Sequence, residues 1–237
     1  MRLTPFFAAV PFAALAFAAP IAIAGTLQIT VTDKDGRPAP DVVVLVDAAA
    51  KAAASAAPAP VVITQEGLRF VPFLTVVPVG STLRFVNKDS YDHHVRSMPS
   101  GPLGSTPPAK TFELRLDAAE GAAAAAPADE YQASPRPRKR SGATSADVKV
   151  DQPGPIALGC HIHGSMRGQV YVSPTPYFAK TDAEGRARID NVPDGAVELN
   201  LWHADQLSEQ AAQRVQLAGT AAVSSQLNFV PRRRRGG

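Results

Sequence analysis

The sequence predicts an all-β protein built from two β-sandwiches. Nearly every apolar stretch after residue 25 is short, and it either alternates with polar residues or forms a brief continuous run, as strands do. Turn-forming residues recur at short spacing between these stretches, a pattern typical of sandwiches. Beyond its N-terminal segment, the 237-residue chain has room for two domains of about a hundred residues each.

The N-terminal segment predicts export. Arg2 precedes an almost wholly apolar, alanine-rich stretch over residues 5–23, and Ala22-Ile23-Ala24 has the small–x–small pattern of a cleavage site. We therefore expect residues 1–24 to be a signal peptide and the mature protein to be periplasmic. A transmembrane anchor is the alternative, but prolines interrupt the stretch. Because no later segment is long and apolar enough to span a bilayer, we expect no stable membrane insertion after cleavage.

The charge of the chain argues against nucleic acid as a partner, because the formal net charge is only +3. The basic residues cluster at 136–140 and 232–235. Both clusters have the composition of solvated, disordered segments, and electrostatic docking is the alternative role for them. We assign residues 231–237 to a basic disordered tail.

The first strands are clear in the sequence. Leu27, Ile29 and Val31 alternate with polar residues, which indicates a half-buried strand. Residues 33–36 form a tight turn, with Gly36 in a positive φ. Residues 42–46 are a continuous apolar run and predict a buried return strand, and the alanine- and proline-rich residues 48–60 predict a linker.

Residues 61–86 contain three further strand-like pieces, one of them interrupted by Pro72. In the last piece Leu83, Phe85 and Asn87 share one face. A polar loop over residues 88–92 then leads to His93-His94, and residues 111–116 predict another strand.

Residues 118–146 are rich in Ala, Pro, Ser and Arg and cannot build a core, so we predict a disordered insertion there. An alanine-rich helix over residues 119–126 is the alternative, but it is too short to be stable alone.

Alternation resumes after the insertion. Val148 and Val150 belong to one predicted strand, and Ile156, Leu158 and Cys160 share one face of the next, so Cys160 is expected to point inward. The later expected elements are listed here in order: a strand with Val170 and Val172, a hairpin turn at 181–185, a strand with Val197, Leu199 and Leu201, and strands at 214–217 and 225–230.

The loop that begins at Cys160 has the composition of a metal site. Cys160 is the only cysteine, so it cannot form an internal disulfide and is an intermolecular link, an inert buried thiol or a ligand. His163 and Met166 follow at three-residue steps. Thiolate, imidazole and a weak thioether suit an electron-transfer copper.

A further ligand is expected from a distant strand, and His93 and His94 are both open as that ligand. His161 is expected to point away from Cys160, as an exposed edge where electrons enter or as a plain loop residue. His203 is expected to be structural.

The spacing C-x-x-H-x-x-M resembles that of the cupredoxins, and specifically of their amicyanin-like members. Residues 79–89 resemble the segment before the family's first histidine ligand, and residues 168–172 resemble its closing strand. His93-His94-Val95 is similar to the His-Asn-Val of amicyanins and plastocyanins, which implies that His93 is the ligand and that His94 replaces the asparagine. Gly164-Ser165 stands where the family has bulkier residues, which implies a loop more open to water.

The resemblance implies a Greek-key cupredoxin sandwich over residues 61–173, the insertion excepted. It implies one mononuclear type 1 copper held by four residues, namely His93, Cys160, His163 and Met166. Asn87, His94 and His161 are then expected beside the site, or as alternative ligands.

The flanking segments carry a second resemblance. Residues 25–47 and 177–202, with their turns at 33–38 and 181–185, resemble a carboxypeptidase-regulatory-like, transthyretin-type sandwich. The whole arrangement is similar to bacterial proteins of the methylamine-utilisation or plastocyanin-like type. It implies that residues 25–60 and 174–230 together form the second sandwich, around the cupredoxin portion.

The expected function is single-electron transfer between periplasmic redox partner proteins. Copper storage or delivery with the same ligands is the alternative, and an interaction protein with a vestigial metal is another. We do not expect an enzyme, because a copper enzyme needs a second histidine cluster and the remaining histidines are scattered along the sequence, at 94, 161 and 203.

Overall fold

The computed structural model describes residues 24–49, 55–119 and 143–232. Within these ranges the regular elements are strands, apart from a short 3-10 turn at Pro102–Gly104, so the all-β prediction is confirmed there. The same ranges contain no helix that is long and apolar enough to cross a membrane. Most of the predicted signal peptide, most of the predicted insertion and the last five residues of the predicted tail lie outside them.

The described residues form sixteen strands. In chain order they are β1 (Ala24–Thr32), β2 (Val43–Ala48), β3 (Val61–Glu66), β4 (Arg69–Val71), β5 (Leu74–Pro78), β6 (Thr82–Asn87), β7 (His93–Met98), β8 (Glu113–Leu116), β9 (Ser145–Lys149), β10 (Gly154–Gly159), β11 (Arg167–Ser173), β12 (Phe178–Lys180), β13 (Arg186–Pro193), β14 (Gly195–Trp202), β15 (Gln213–Leu217) and β16 (Thr220–Gln226).

The strands β3 to β11 form one sandwich. One sheet has the order β5-β11-β10-β7-β8 and the other has the order β4-β3-β6-β9. Both sheets contribute inward side chains to a single core, because alternate residues of each strand point to the same face. This core includes Ile63, Phe85, Val95, Ile156 and Leu158, and Cys160 and Met166 belong to it as well.

The remaining strands form a second sandwich, with the sheet orders β13-β1-β16 and β12-β2-β14-β15. Leu27, Ile29 and Val31 of β1 are buried in its core, as their alternation predicts. Strand β1 pairs with β16 in parallel and with β13 antiparallel. Residues from the start and the end of the described chain therefore close this core together.

A third buried cluster connects the two sandwiches. Val43 and Leu45 of β2 pack there with Leu74, Tyr171 and Trp202, while Val44 and Val46 of the same strand face the core of the second sandwich. Strand β2 is thus buried on both faces. This explains why its sequence is a continuous apolar run rather than an alternation.

Two turns of the second sandwich have the same hydrogen-bond pattern. The Asp33 carboxylate accepts from the backbone N–H groups of Asp35 and Arg37, and the Asp182 carboxylate accepts from those of Glu184 and Arg186. The positive φ predicted for Gly36 is confirmed, at 80°.

The turn at residues 181–185 is not a hairpin, and that prediction is wrong. Strand β12 pairs with β2, whereas β13 pairs with β1 in the opposite sheet. The chain crosses from one sheet to the other at this turn, and turn chemistry alone does not reveal which strands the flanking segments join.

Two predicted boundaries also differ. The last strand covers Thr220–Gln226 rather than residues 225–230, because its parallel pairing with β1 begins at Thr220. Strand β9 begins at Ser145, inside the range predicted as an insertion. Its pairing with β6 recruits Ser145 and Ala146, a polar and a small residue that show no alternation of large apolar side chains in the sequence.

Candidate metal centre

Three donor atoms converge at one end of the first sandwich. Nδ1 of His93 lies 3.1 Å from Nδ1 of His163. Sγ of Cys160 lies 3.9 Å from the His93 nitrogen and 3.7 Å from the His163 nitrogen. Among the described residues, these three side chains form the group of His, Cys, Asp or Glu donors whose ligand atoms all lie within 4.8 Å of one another. The structure thus brings together three of the four residues predicted as ligands.

The strand pairing explains this convergence. Strands β7 and β10 are antiparallel neighbours, with Gly159 opposite Arg96. His93 is the first residue of β7, and Cys160 directly follows β10. The two residues are 67 positions apart in sequence, yet they lie at the same end of adjacent strands.

The loop after Cys160 turns back over the end of β10. The N–H of Met166 donates to the carbonyl of His163 at 3.0 Å, which closes a tight turn. His163 is therefore presented to the same point as Cys160. Met166 itself is buried, with 1% of its surface exposed, in the core that also contains Cys160.

The donor set fits a metal ion with two nitrogen ligands and one sulfur ligand. Bonds of about 2.0–2.1 Å to nitrogen and about 2.3 Å to sulfur place such donors roughly 3–4 Å apart around a common centre. The three observed separations lie in that interval. A thiolate with two imidazoles, beside a buried thioether, is the set that suits copper in electron-transfer sites.

Asp89 fixes which nitrogen of His93 is available. Its carboxylate Oδ2 lies 2.8 Å from Nε2 of the His93 ring. Because an ionised carboxylate only accepts, Nε2 carries the hydrogen and Nδ1 keeps its lone pair for a metal. Asp89 is not among the site residues predicted from the sequence, although a carboxylate four residues before a candidate ligand was a usable signal.

The environment of Asp89 favours the ionised carboxylate. Burial opposes its ionisation, but the hydrogen bonds from His93 and from the backbone N–H groups of Gly67 and Leu68 outweigh that effect. The pKa of Asp89 is therefore lowered. An anion of this kind beside a buried imidazole makes the ring a stronger ligand.

Tyr91, which was not predicted from the sequence either, packs against both imidazoles. Its ring meets that of His93 edge-on at 5.1 Å between centroids and that of His163 at 5.3 Å. Burial raises the pKa of Tyr91, and the Asp89 carboxylate raises it further. Because its ring packs edge-on against both imidazoles, Tyr91 restricts the orientation of both rings.

Burial also lowers the pKa of His163, and the charge of a protonated His93 adds to this effect. The nearby Asp89 carboxylate acts in the opposite direction, but it is outweighed. The neutral imidazole, which is the form that binds a metal, is therefore favoured at His163.

His94 contributes its backbone to the site rather than its ring. Its N–H donates to Sγ of Cys160 at 3.4 Å, a contact that stabilises negative charge on the sulfur. The His94 ring lies apart from the three donor atoms, against the ring of His161. Of the two histidines, it is His93 whose ring nitrogen lies with the other two donor atoms.

Asn87 holds the loop that leads to His93. Its side-chain N–H₂ donates to the carbonyls of Tyr91 and Asp117, and its Oδ1 accepts from the N–H of Asp89. All three contacts are within the protein, so the Asn87 side chain orders the residues beside the site and supplies no free ligand atom.

His161 lies on the outer face, with 42% of its side chain exposed. Its ring centroid is 5.6 Å from that of His94. The expectation that the remaining histidines are scattered is wrong for this pair, because β7 and β10 bring them together. His203 is separate and buried, and its Nδ1 accepts from the N–H of Asp205.

No protein-family model matches the chain, and no curated protein matches it. It is similar to a solved purple cupredoxin from Nitrosopumilus maritimus at 17% identity and a TM-score of 0.33, over 48% of this chain and 99% of that one. It is also similar to an amicyanin mutant in the reduced state at 18% identity and a TM-score of 0.30, over 55% of this chain and 98% of that one.

A third solved structure with a similar region is the copper-containing nitrite reductase from Thermus scotoductus SA-01. The identity is 22% and the TM-score 0.33, over 60% of this chain and 28% of that one. Cupredoxins, the family that the Cys160 loop resembles, are thus among the solved structures to which the chain is similar. What this chain binds has to follow from its own residues.

Proposed function

We propose that this chain is a periplasmic type 1 (blue) copper protein that transfers single electrons between redox partner proteins. The ligands are His93, Cys160 and His163, with Met166 as a weak axial ligand. The observation that supports the proposal is the convergence of two Nδ1 atoms and one Sγ within 3.1–3.9 Å. Copper bound there supplies a one-electron couple between Cu(I) and Cu(II).

The protein supports this role by holding its donors in place. Two adjacent strands position His93 and Cys160, and Asp89 and Tyr91 restrict the imidazoles. Because a trigonal set of this kind suits both oxidation states, little needs to move when an electron is transferred. The N–H of His94 withdraws charge from the sulfur and so tunes the potential.

Partner access is proposed at the loop that carries His163. The side chain of His163 is partly exposed, and Ile162 beside it is 52% exposed. A redox partner protein can therefore approach the imidazole edge closely. The periplasmic location rests on the N-terminal sequence.

We also propose that the two sandwiches are separate domains, with residues 61–173 inserted between the two parts of the other domain, residues 25–60 and 174–230. The sheet pairing supports this division, because no strand pair among the described residues joins a strand of β3–β11 to one of the remaining strands. The relation of the second domain to transthyretin-type sandwiches stays a prediction of the sequence.

The test is a visible absorption spectrum of the copper-loaded protein, followed by reversible reduction. We expect an intense thiolate-to-copper band that is lost in Cys160→Ser and in His93→Ala. His94→Ala is the matched control, since alanine keeps the backbone N–H that meets the sulfur. Loss of the band in His94→Ala but not in His93→Ala would contradict the proposed ligand set.

The same measurement separates electron transfer from copper storage or delivery. A storage protein would hold only Cu(I), show no thiolate band and fail to cycle. That outcome would overturn the electron-transfer role while leaving the ligands in place.

A further inference from the structure

A second group of metal-binding side chains lies on the outer face of the five-stranded sheet. It consists of His94, His161 and Glu113, and we call it the outer cluster. The Glu113 Oε1 is 3.0 Å from Nε2 of His161 and 3.9 Å from Nδ1 of His94. All three side chains are partly exposed, with exposed fractions of 27% for His94, 42% for His161 and 60% for Glu113.

The sheet itself places these residues together. Strand β7 lies between β8 and β10. Continuing the pairing of Gly159 with Arg96 by two residues puts His161 opposite His94. On the other side Glu113 is opposite Arg96, diagonal to His94. Side chains at such positions on one face lie within reach of one another.

One ligand atom of the outer cluster has no partner. Nδ1 of His94 is shielded from solvent and makes no hydrogen bond within the described residues, since 3.9 Å to Glu113 is too long for one. An imidazole nitrogen in that state retains its capacity to bind a metal ion.

Nε2 of His161 lies within hydrogen-bond distance of two groups that it cannot satisfy together. Nη1 of Arg96 lies 3.0 Å from Nε2 of His161, and Oε1 of Glu113 lies at the same distance from that nitrogen. A guanidinium only donates and a carboxylate only accepts, so Nε2 cannot satisfy both. A metal ion bound by both the nitrogen and the carboxylate would remove this conflict, and in the structure the cation beside the nitrogen is Arg96.

We propose that the outer cluster is a second metal site, which binds a divalent first-row ion such as Zn²⁺ or Cu²⁺ through His94, His161 and Glu113. Two imidazoles and one carboxylate suit ions of this class. Arg96 competes with the ion for Nε2 of His161 and must move aside when it binds. The three ligand atoms, which do not all lie within 4.8 Å of one another here, must also close around the ion.

The site is distinct from the first centre but directly connected to it. His94 follows the ligand His93, and His161 follows the ligand Cys160, each through one peptide bond. A divalent cation at the outer cluster would therefore add positive charge next to the first centre. Such charge favours the reduced form of that centre, so its reduction potential should rise.

The test is calorimetric titration of the full mature protein with Zn²⁺, which binds both donor sets and carries no redox chemistry. We expect about two equivalents for the wild type and about one after His161→Ala or Glu113→Gln. Arg96→Gln should bind the second equivalent more tightly, on the order of tenfold. Native mass spectrometry checks the stoichiometry, and circular dichroism checks folding.

The controls separate the two sites. Ile162→Ala changes the same loop, and Glu66→Gln removes an equally exposed carboxylate from the other sheet. Both should keep the wild-type stoichiometry. The double variant Cys160→Ser, His163→Ala should still bind about one equivalent at the outer cluster, so the outer site can stand even if the copper proposal fails. Unchanged zinc binding after His161→Ala and Glu113→Gln would overturn this inference.

Discussion

Asp89 connects His93, a residue of the candidate metal centre, to the turn between β3 and β4. Its carboxylate accepts from His93 Nε2 and from the backbone of Gly67 and Leu68, so one side chain orients a ligand and ties β3–β4 to β7. Residues that orient metal ligands in this way contribute to affinity without touching the ion.

We expect Asp89→Asn to weaken copper binding by about 10- to 100-fold, because the ring of His93 loses an anionic acceptor. The reduction potential should also rise, since less negative charge remains to stabilise Cu(II). Competition with a calibrated chelator and voltammetry measure the two effects. Asp147→Asn is the control, because that carboxylate pairs with Arg84 on the surface of the same sandwich. Equal affinities for the two variants would contradict the role of Asp89.

Residue-level predictability was uneven at this site. Cys160, His163 and Met166 were found from spacing, because a single loop carries all three. Residue patterns left His93 and His94 equally open, and only the resemblance to cupredoxins favoured His93. The direction of a side chain at the start of β7 depends on its pairing with β10, which spans 67 positions of sequence.

At the scale of elements, the two turns of the second sandwich that are closed by the Asp33 and Asp182 carboxylates have similar sequences but are packed differently. Gly36 and Gly185 both have positive φ, at 80° and 72°. A Cβ at Gly36 would meet nothing within 4 Å, whereas a Cβ at Gly185 would overlap the carbonyl oxygen of Val31. The crowded turn is the one that crosses between the sheets.

We expect Gly185→Ala to lower the free energy of unfolding by more than Gly36→Ala does. Both substitutions place a side chain in the left-handed region, which costs about 1–2 kcal/mol. Gly185→Ala adds a backbone clash worth a further ~1–3 kcal/mol. Urea unfolding of the two variants measures the difference, and equal destabilisation would show that the β1 backbone yields to the added methyl.

Strands were well predicted where burial leaves an apolar pattern in the sequence. They were poorly predicted where only pairing with a neighbouring strand sets their bounds or their sheet. Strand β1 was identified from its alternation, and β2 from its continuous apolar run. Ser145 and Ala146 were assigned to the insertion, because a strand recruited by its neighbour needs no apolar pattern of its own. The turn at residues 181–185 was identified, but the sheets that it connects were not.

At the scale of the whole molecule, the third buried cluster joins the sandwich that carries the candidate metal centre to the other sandwich. The rings of Tyr171 and Trp202 lie 4.9 Å apart there, packed with apolar residues of β2 and β5. We expect contacts of this kind to couple the unfolding of the two sandwiches.

We expect the copper-loaded wild type to unfold in one calorimetric transition, and Trp202→Ala to separate it into two. Copper stabilises only the sandwich that binds it, by an amount set by its concentration and affinity. The loss of a half-buried tryptophan removes on the order of 2 kcal/mol, below the ~3–5 kcal/mol of a fully buried one. Leu207→Ala, at a 73% exposed position, is the control. Two transitions already in the wild type would show that the junction does not couple the sandwiches.

The sequence by itself determined the all-β class, most of the strands and the loop with cysteine, histidine and methionine, because periodicity and short spacing are local properties of the chain. Only the tertiary structure decided that His93 and not His94 faces Cys160, that Asp89 and Tyr91 complete the surroundings of the site, and that His94 meets His161 on the outer face. These relations depend on which strands pair and in what register, and pairing across long separations leaves little trace in the local sequence.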